Sequence, residues 1–130
     1  SASNNQGYDG ALNLANIPEE FEVDILGQEK DETDSVITEK STSKSSKFAL
    51  LFEFDGDIKA IRHVMYNCTA SRPKISSSSK TDSAEPNTNE LTFVASARPS
   101  DYVVKTKTSA TTKPEIYDNW YKKVYEKVTA

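Results

Sequence analysis

The sequence has few of the residues on which catalytic and covalent chemistry usually depends: one histidine, one cysteine and one tryptophan among 130 residues. A single cysteine cannot form a disulfide within the chain. The lone His63 would have to serve any catalytic triad or imidazole metal site by itself. No run approaches the ~20 apolar residues of a membrane span, and the first residues lack the pattern of a secretory signal. We therefore expect a soluble protein without disulfides or membrane helices.

The charge and composition narrow the possible functions and folds of the chain further. The net charge is −4, and the isoelectric point is near 5.0. This balance argues against a groove that binds nucleic acid, because phosphate contacts need clustered Lys and Arg. Only 35% of the residues are hydrophobic, so we expect the polar excess to lie in long loops. The length predicts a single domain over residues 1–130.

The first 46 residues predict a strand, a short helix and a loop. Tyr8 to Ala15 alternates loosely, which is typical of a strand. Asn16 is placed to cap a helix that has Pro18 in its first turn and Gly27 as its C-terminal stop. Its apolar residues fall on one face at i, i+4 spacing: Ile17, Phe21, Ile25 and Leu26. Residues 28–46 are acidic and then rich in Thr, Ser and Lys, and predict a polar, mobile loop or arm.

A β-hairpin is the clearest prediction of the sequence. Residues 48–54 alternate, the pair Asp55-Gly56 predicts a turn, and Ile58 to Ala70 continues with residues that favour strands. Both faces of the second strand carry apolar residues, with Val64 and Cys68 on one and Met65 on the other. We therefore expect this strand to be central or to meet a partner on its second side.

The second half predicts a polar arm, two strands and a helix. Residues 71–90 form the polar loop or arm, Leu91 to Ala97 a strand, and Tyr102 to Thr108 its neighbour. A helix starting at residues 112–114 would present an apolar stripe: Ile116, Tyr117, Trp120, Tyr121, Val124 and Val128. The predicted class is α+β, mainly antiparallel β, with two helices on about five strands. Open sheet edges would invite pairing with other chains.

The patterns that suggest ligands have simpler structural explanations. His63 lies mid-strand, where we expect a half-buried residue that hydrogen-bonds locally. The sequence Asp55-Gly56-Asp57 starts like a calcium loop, but a strand replaces the further ligands, so a hairpin turn explains it better. Four acids could supply paired carboxylates for glycoside hydrolysis or a weak cation site, yet their setting predicts a solvated loop: Glu29, Asp31, Glu32 and Asp34.

Two further patterns are also explained by structure. Asn67-Cys68-Thr69 matches a glycosylation sequon, but it lies within a strand, and Cys68 is expected to be a small buried hydrophobe. An aromatic run could line a sugar-binding surface, although its helical spacing favours core packing: Tyr117, Trp120, Tyr121 and Tyr125. No phosphate loop or nucleophile elbow is present. We predict no catalytic, cofactor or metal residues, and a protein that is not an enzyme.

An ordered series of segments resembles one protein family. The segments are Gln6-Gly7-Tyr8-Asp9-Gly10, Ile17-Pro18-Glu19-Glu20-Phe21, Asp24-Ile25-Leu26-Gly27, residues 48–57, Arg62-His63-Val64 and residues 66–73. Later ones follow in the same order: Glu85-Pro86, residues 91–99, residues 104–108 and residues 117–121. Over nearly its whole length, the chain resembles the major tail proteins of long-tailed phages of Gram-positive bacteria.

The resemblance implies a tail-tube protein with a β-sandwich or barrel-like fold, a short helix and a C-terminal helix. Copies of such a protein form hexameric rings that stack into the tube, beside other tail proteins. The genome passes through this tube without specific binding. The protein would be made in the host bacterial cytoplasm and end in the virion. Family members carry further strands before the Gly7-Tyr8 region, so the resemblance implies an N-terminally truncated chain that need not assemble alone.

Two other functions stay open at this point. A β-sandwich recognition module that binds carbohydrate or a host surface would fit the polar loops and the tyrosines. A hydrolase would have to use His63 or the acids of residues 29–34. In a tail protein, by contrast, the arms at 28–46 and 71–90 would order on stacking, at a cost in entropy that restrains premature assembly.

Overall fold

The structure is a computed structural model that describes residues 6–56, 58–73 and 89–128. Its elements are β1 (Tyr8–Leu14), α1 (Glu19–Asp24), β2 (Glu29–Asp31), β3 (Val36–Thr38), β4 (Phe48–Glu53), β5 (Arg62–Ala70), β6 (Asn89–Ser96), β7 (Lys105–Lys107) and α2 (Pro114–Asp118). Strands account for 36% and helices for 10% of the described residues, and the strands are mostly antiparallel. The predicted α+β, mainly β class is therefore confirmed. No helix of the described residues has the length and apolarity needed to cross a bilayer.

The described residues fall into two compact units. The first takes residues 6–7, 48–68 and 95–128, and the second takes residues 8–47 and 69–94. Strands β5 and β6 each contribute residues to both units.

In the first unit, β5 is the central strand. On one edge it pairs antiparallel with β4, where Phe52 lies opposite His63. On the other edge it pairs antiparallel with β7, where Lys107 lies opposite the same His63. The apolar side chains of both faces of β5 are buried, including Val64, Met65 and Cys68. The expectation of a central strand is confirmed, since a strand covered on both faces buries apolar residues on each of them.

The partner predicted for the strand after Pro99 is wrong. We expected residues 102–108 to lie beside 91–97, but β7 pairs with β5. A tight loop redirects the chain, because Arg98 N–H donates to Val103 O at 3.0 Å and Tyr102 N–H donates to Arg98 O at 2.9 Å. The Tyr102 backbone adopts a left-handed φ of 64° within this loop. The Thr108 N–H then donates to Arg62 O at 2.8 Å, which holds the chain against β5.

The predicted hairpin of β4 and β5 is confirmed, but its connection is longer than expected. The second strand begins at Arg62 and not at Ile58. Gly56 has a left-handed φ of 109°, and the Ile58 side chain is fully exposed. Ala60 is buried and its carbonyl accepts a hydrogen bond from Tyr117 Oη at 2.7 Å. This contact pulls the chain out of the sheet before β5 begins.

The last helix is also shorter than its apolar stripe suggested. It spans Pro114–Asp118, and the residues from Asn119 onward form turns and then extended chain. Tyr117 and Trp120 are used for tertiary contacts with β5, and the Tyr125 carbonyl accepts from Tyr66 Oη at 2.7 Å. The Tyr66 hydroxyl therefore satisfies a backbone carbonyl beyond α2 in place of a further helical turn.

The second unit contains β1, α1, β2, β3 and most of β6. The strand predicted at Tyr8 to Ala15 is confirmed as β1, and β1 pairs with β6. Gly10 of β1 lies against the Phe93 ring, leaving no space for a side chain. Leu26, Leu91 and Phe93 are buried here.

The predicted start of α1 is wrong, whereas its stop is confirmed. Pro18, not Asn16, occupies the N-cap position, and no side chain caps the helix. Instead, Pro18 O accepts from the N–H groups of Phe21 and Glu22 at 3.0 and 3.1 Å. Gly27 then takes a left-handed φ of 77° with its Cα hydrogen against Lys44, where a Cβ would collide. Glycine is favoured there for both reasons.

Residues 28–46 are more ordered than a loop. Strands β2 and β3 form a short antiparallel hairpin within them, with Lys30 opposite Ile37. Its turn is closed by Ser35 N–H donating to Asp31 O at 2.7 Å and Thr33 N–H donating to Asp31 Oδ1 at 3.0 Å. The Val36-Ile37 pair supplies the β-favouring residues of β3. Of the arm predicted at 71–90, residues 74–88 lie outside the described residues.

Candidate functional site

Strand β4 forms an edge of the sheet in the first unit. Strand β4 pairs with β5 on one side and with no other described strand on the second. A register shift between Phe48 and Leu50 leaves Ala49 without a partner in β5. Unpaired backbone groups on a strand edge can hydrogen-bond a strand from another chain.

Three aromatic rings cluster at the C-terminal end of β4. We call Phe52, Phe54 and His63 the ring platform. The Phe52 and His63 rings stack with centroids 4.8 Å apart, and the Phe54 ring meets both edge-on at 5.6 and 5.8 Å. The Phe54 side chain is 67% exposed. Because Phe52 and Lys107 lie opposite His63 on neighbouring strands, all three side chains share one face of the sheet.

His63 is half-buried, as predicted. Its Nδ1 is buried without a hydrogen-bond partner among the described residues. Burial lowers the pKa of the imidazole, and the charges of Lys105 and Lys107 lower it further. A neutral ring stacked on Phe52 is therefore the favoured form. Among the described residues, the charged groups that shift the His63 pKa are both lysines, and no carboxylate contributes to the shift.

On the opposite face, Arg62 forms a clamp between the sheet and α2. Its guanidinium carbon lies 4.0 Å from the ring centroid of Tyr117 and 5.0 Å from that of Tyr121. Its Nη1 donates to Tyr117 O at 2.6 Å and its Nε to Glu53 Oε1 at 3.1 Å. Burial raises the pKa of Tyr121 to about 12, helped by the hydrogen bond from its hydroxyl to Glu53. The clamp uses Tyr117 and Tyr121 for packing.

A second arginine holds the chain after α2. The Arg98 guanidinium lies 4.1 Å from the Tyr66 ring centroid and bonds both Asp101 oxygens at 2.8 and 2.9 Å. It also pairs with Glu126. These hydrogen bonds raise the pKa of Arg98 and lower that of Asp101. One feature of the sequence indicates this cluster: Arg98 and Asp101 are three residues apart, with Pro99 between them.

The remaining members of the aromatic run pack as predicted. Trp120 is 3% exposed, its Nε1 donates to His63 O at 3.1 Å, and its ring stacks on Tyr125 with centroids 5.6 Å apart. Cations cover the Tyr117 ring, whereas Tyr121 is 48% exposed, so Tyr121 supplies the main exposed aromatic surface of this run.

The acids of residues 29–34 surround the turn of the β2–β3 hairpin. Glu29 pairs with Lys40 at 2.9 Å, and the neighbouring Lys30 pairs with Glu19 at 2.5 Å. Across the described residues, no ion pair includes Glu32 or Asp34. Both side chains are exposed, as predicted for a solvated acidic segment.

The other sequence candidates lie within β5 or its connection. Asn67 is buried, and its amide donates to Ser96 Oγ at 3.1 Å and Ala97 O at 3.0 Å, so the sequon is inaccessible. Cys68 is a free, fully buried thiol whose pKa is raised by burial. Asp57 of the calcium-like pattern lies outside the described residues.

Within residues 6–56, 58–73 and 89–128, no three His, Cys, Asp or Glu side chains gather as metal ligands do. Comparison with known proteins adds nothing to these observations: no protein-family model, curated protein or solved structure matches the chain. The candidate site is therefore a surface: the open edge of β4 with the ring platform at its end.

Proposed function

We propose that the chain is a structural subunit that associates with copies of itself, as a major tail protein does in a phage tail tube. The observation that carries this proposal is the edge of β4 that no other described strand covers. An apolar strand with one unpaired edge costs solubility unless a neighbour covers it, and a ring of identical subunits covers every such edge at once.

The charge of the chain supports the same role. A lumen that conducts DNA must not bind it, and a net charge of −4 gives little general attraction for phosphate. The resemblance of the ordered segments to major tail proteins is independent of both arguments. Together they favour assembly into hexameric rings that stack in the virion, with DNA passing through without specific contacts.

The direct test is electron microscopy with light scattering, on this chain and on the protein expressed from its complete reading frame. Rings or tubes are the expected result for the complete protein. If that protein stays monomeric over a wide range of concentration and salt, the proposal fails.

An edge variant makes the test specific. Ala49→Pro removes one N–H at the position that the β4–β5 register skips, and proline is tolerated at bulges and sheet edges. We expect the variant to fold, as judged by circular dichroism, and to lose assembly. Ala49→Val is the matched control, because it keeps the N–H and favours a strand. Equal assembly of the two variants would place the contact elsewhere.

The recognition module remains the alternative. It was suggested by the polar loops and the tyrosines; of these tyrosines, Tyr117 makes packing contacts, whereas Tyr121 is 48% exposed. A glycan array distinguishes the two proposals, since specific binding by a monomeric chain would favour the recognition module.

A further inference from the structure

The ring platform is an exposed surface with a defined chemistry. The Phe54 ring is two-thirds exposed and contacts both other rings, so apolar surface faces solvent beside the end of β4. The fully exposed Ile58 follows in the same connection. Exposed aromatic clusters of this kind are typical of protein contacts.

The platform lies in a cationic environment. Lys107 is exposed directly across from His63, and Lys105 is the next residue on that face of β7. The charges that act on His63 come from these two lysines, and both lower its pKa. The platform is therefore suited to a ligand that combines carboxylates with an apolar side chain.

The same chain carries a segment with that complementary chemistry. We call residues 31–36 the acidic tip: the turn of the β2–β3 hairpin, with exposed Glu32 and Asp34 followed by Val36, which is 52% exposed. The hydrogen bonds to Asp31 fix the turn, so presenting it to a partner costs little ordering entropy.

We propose that the acidic tip of one copy docks on the ring platform of a second copy, with Glu32 and Asp34 facing Lys105 and Lys107 and with Val36 against Phe54. This inference rests on the proposed function and names the contact by which the copies recognise each other. The tip and the platform are different surfaces, so the contact is head-to-tail, the type that generates rings and stacked filaments. Phe52 belongs to β4, so this contact would adjoin the edge at which strands of two copies pair. The two contacts would then hold the copies together jointly.

Charge reversal tests the contact in the intact chain. Lys107→Glu or Asp34→Lys places like charges against each other, and we expect either variant to weaken self-association at least tenfold at low salt, about 1.4 kcal/mol. The double variant Asp34→Lys/Lys107→Glu restores opposite charges and should recover self-association. Lys122→Glu and Asp118→Lys are matched controls, because both are exposed and change the net charge equally. Sedimentation velocity over a concentration series measures each association constant.

The outcomes separate this contact from the proposed function. Recovery in the double variant supports it. If copies associate but the single variants match their controls, the contact is wrong and the proposed function stands. If neither this chain nor the protein expressed from its complete reading frame associates under any condition, both fail. Binding of a single-stranded oligonucleotide that is lost in Lys107→Glu, with unchanged self-association, would assign the platform to nucleic acid and overturn the inference.

Discussion

Replacing Trp120 tests the packing of the first unit most directly. The ring is 3% exposed, stacks on Tyr125, and donates from Nε1 to the His63 carbonyl at 3.1 Å. Trp120→Ala removes the ring and leaves a cavity between α2 and β5, so the expected loss is about 3–5 kcal/mol of unfolding free energy. Trp120→Phe keeps most of the apolar volume and removes the indole N–H. The His63 carbonyl then lacks its donor, which costs about 1–3 kcal/mol.

Urea denaturation followed by far-UV circular dichroism gives both free energies, because fluorescence of the single tryptophan is lost in these variants. Ile58→Ala is the control: its side chain is fully exposed, so the change should stay within about 0.5 kcal/mol. If Trp120→Ala costs under about 1 kcal/mol, close to the control, the ring is not part of the core and the account of α2 is wrong. If Trp120→Phe costs as much as Trp120→Ala, the hydrogen bond and not the volume dominates.

Three other predictions concern charge and accessibility. Arg62→Lys should lower the unfolding free energy by about 1–3 kcal/mol, because a lysine cannot keep both the bond to Tyr117 O and the contact with two rings. A urea denaturation curve equal to that of the wild type would contradict the role of Arg62 as a clamp. The pKa of His63 is lower in the folded chain than in the unfolded one, so the unfolded state takes up the proton first and stability should fall as pH drops below about 6.5. In denaturation curves from pH 8 to 5, His63→Gln should reduce that loss, and an identical pH profile would refute the assignment. The buried thiol of Cys68 should react with a chromogenic disulfide reagent only as fast as the chain opens, and rapid labelling without denaturant would show that β5 is accessible.

The local pattern of apolar, polar and glycine residues predicts those strands and helix ends that depend mainly on nearby residues in the sequence. The alternation of residues 48–54 and the two apolar faces of β5 predicted the hairpin and its central strand, and Gly27 marked the end after α1. Burial of Cys68 and the packing of Trp120 followed from the same patterns.

Long-range contacts decided the elements that were predicted wrongly. The spacing of residues 116–128 is compatible with a helix, but Tyr66 and Arg98 bind the chain after α2 in an extended form. The pairing of β7 with β5 depends on a loop closed by Arg98, which propensity does not reveal. The ring platform likewise combines residues from two strands whose register was unknown. The acids of residues 29–34 could be identified, but not the hairpin that presents them.

The hydrogen bonds that Trp120 and Tyr125 make with β5 have a consequence for biosynthesis. A ribosome delivers β4 and β5 before these residues, so the first unit stays incomplete until Trp120 and Tyr125 have been synthesised. Until then the Tyr66 hydroxyl and the His63 carbonyl lack the hydrogen-bond partners that this later segment supplies. A chain that stops before Trp120 would remain in that state.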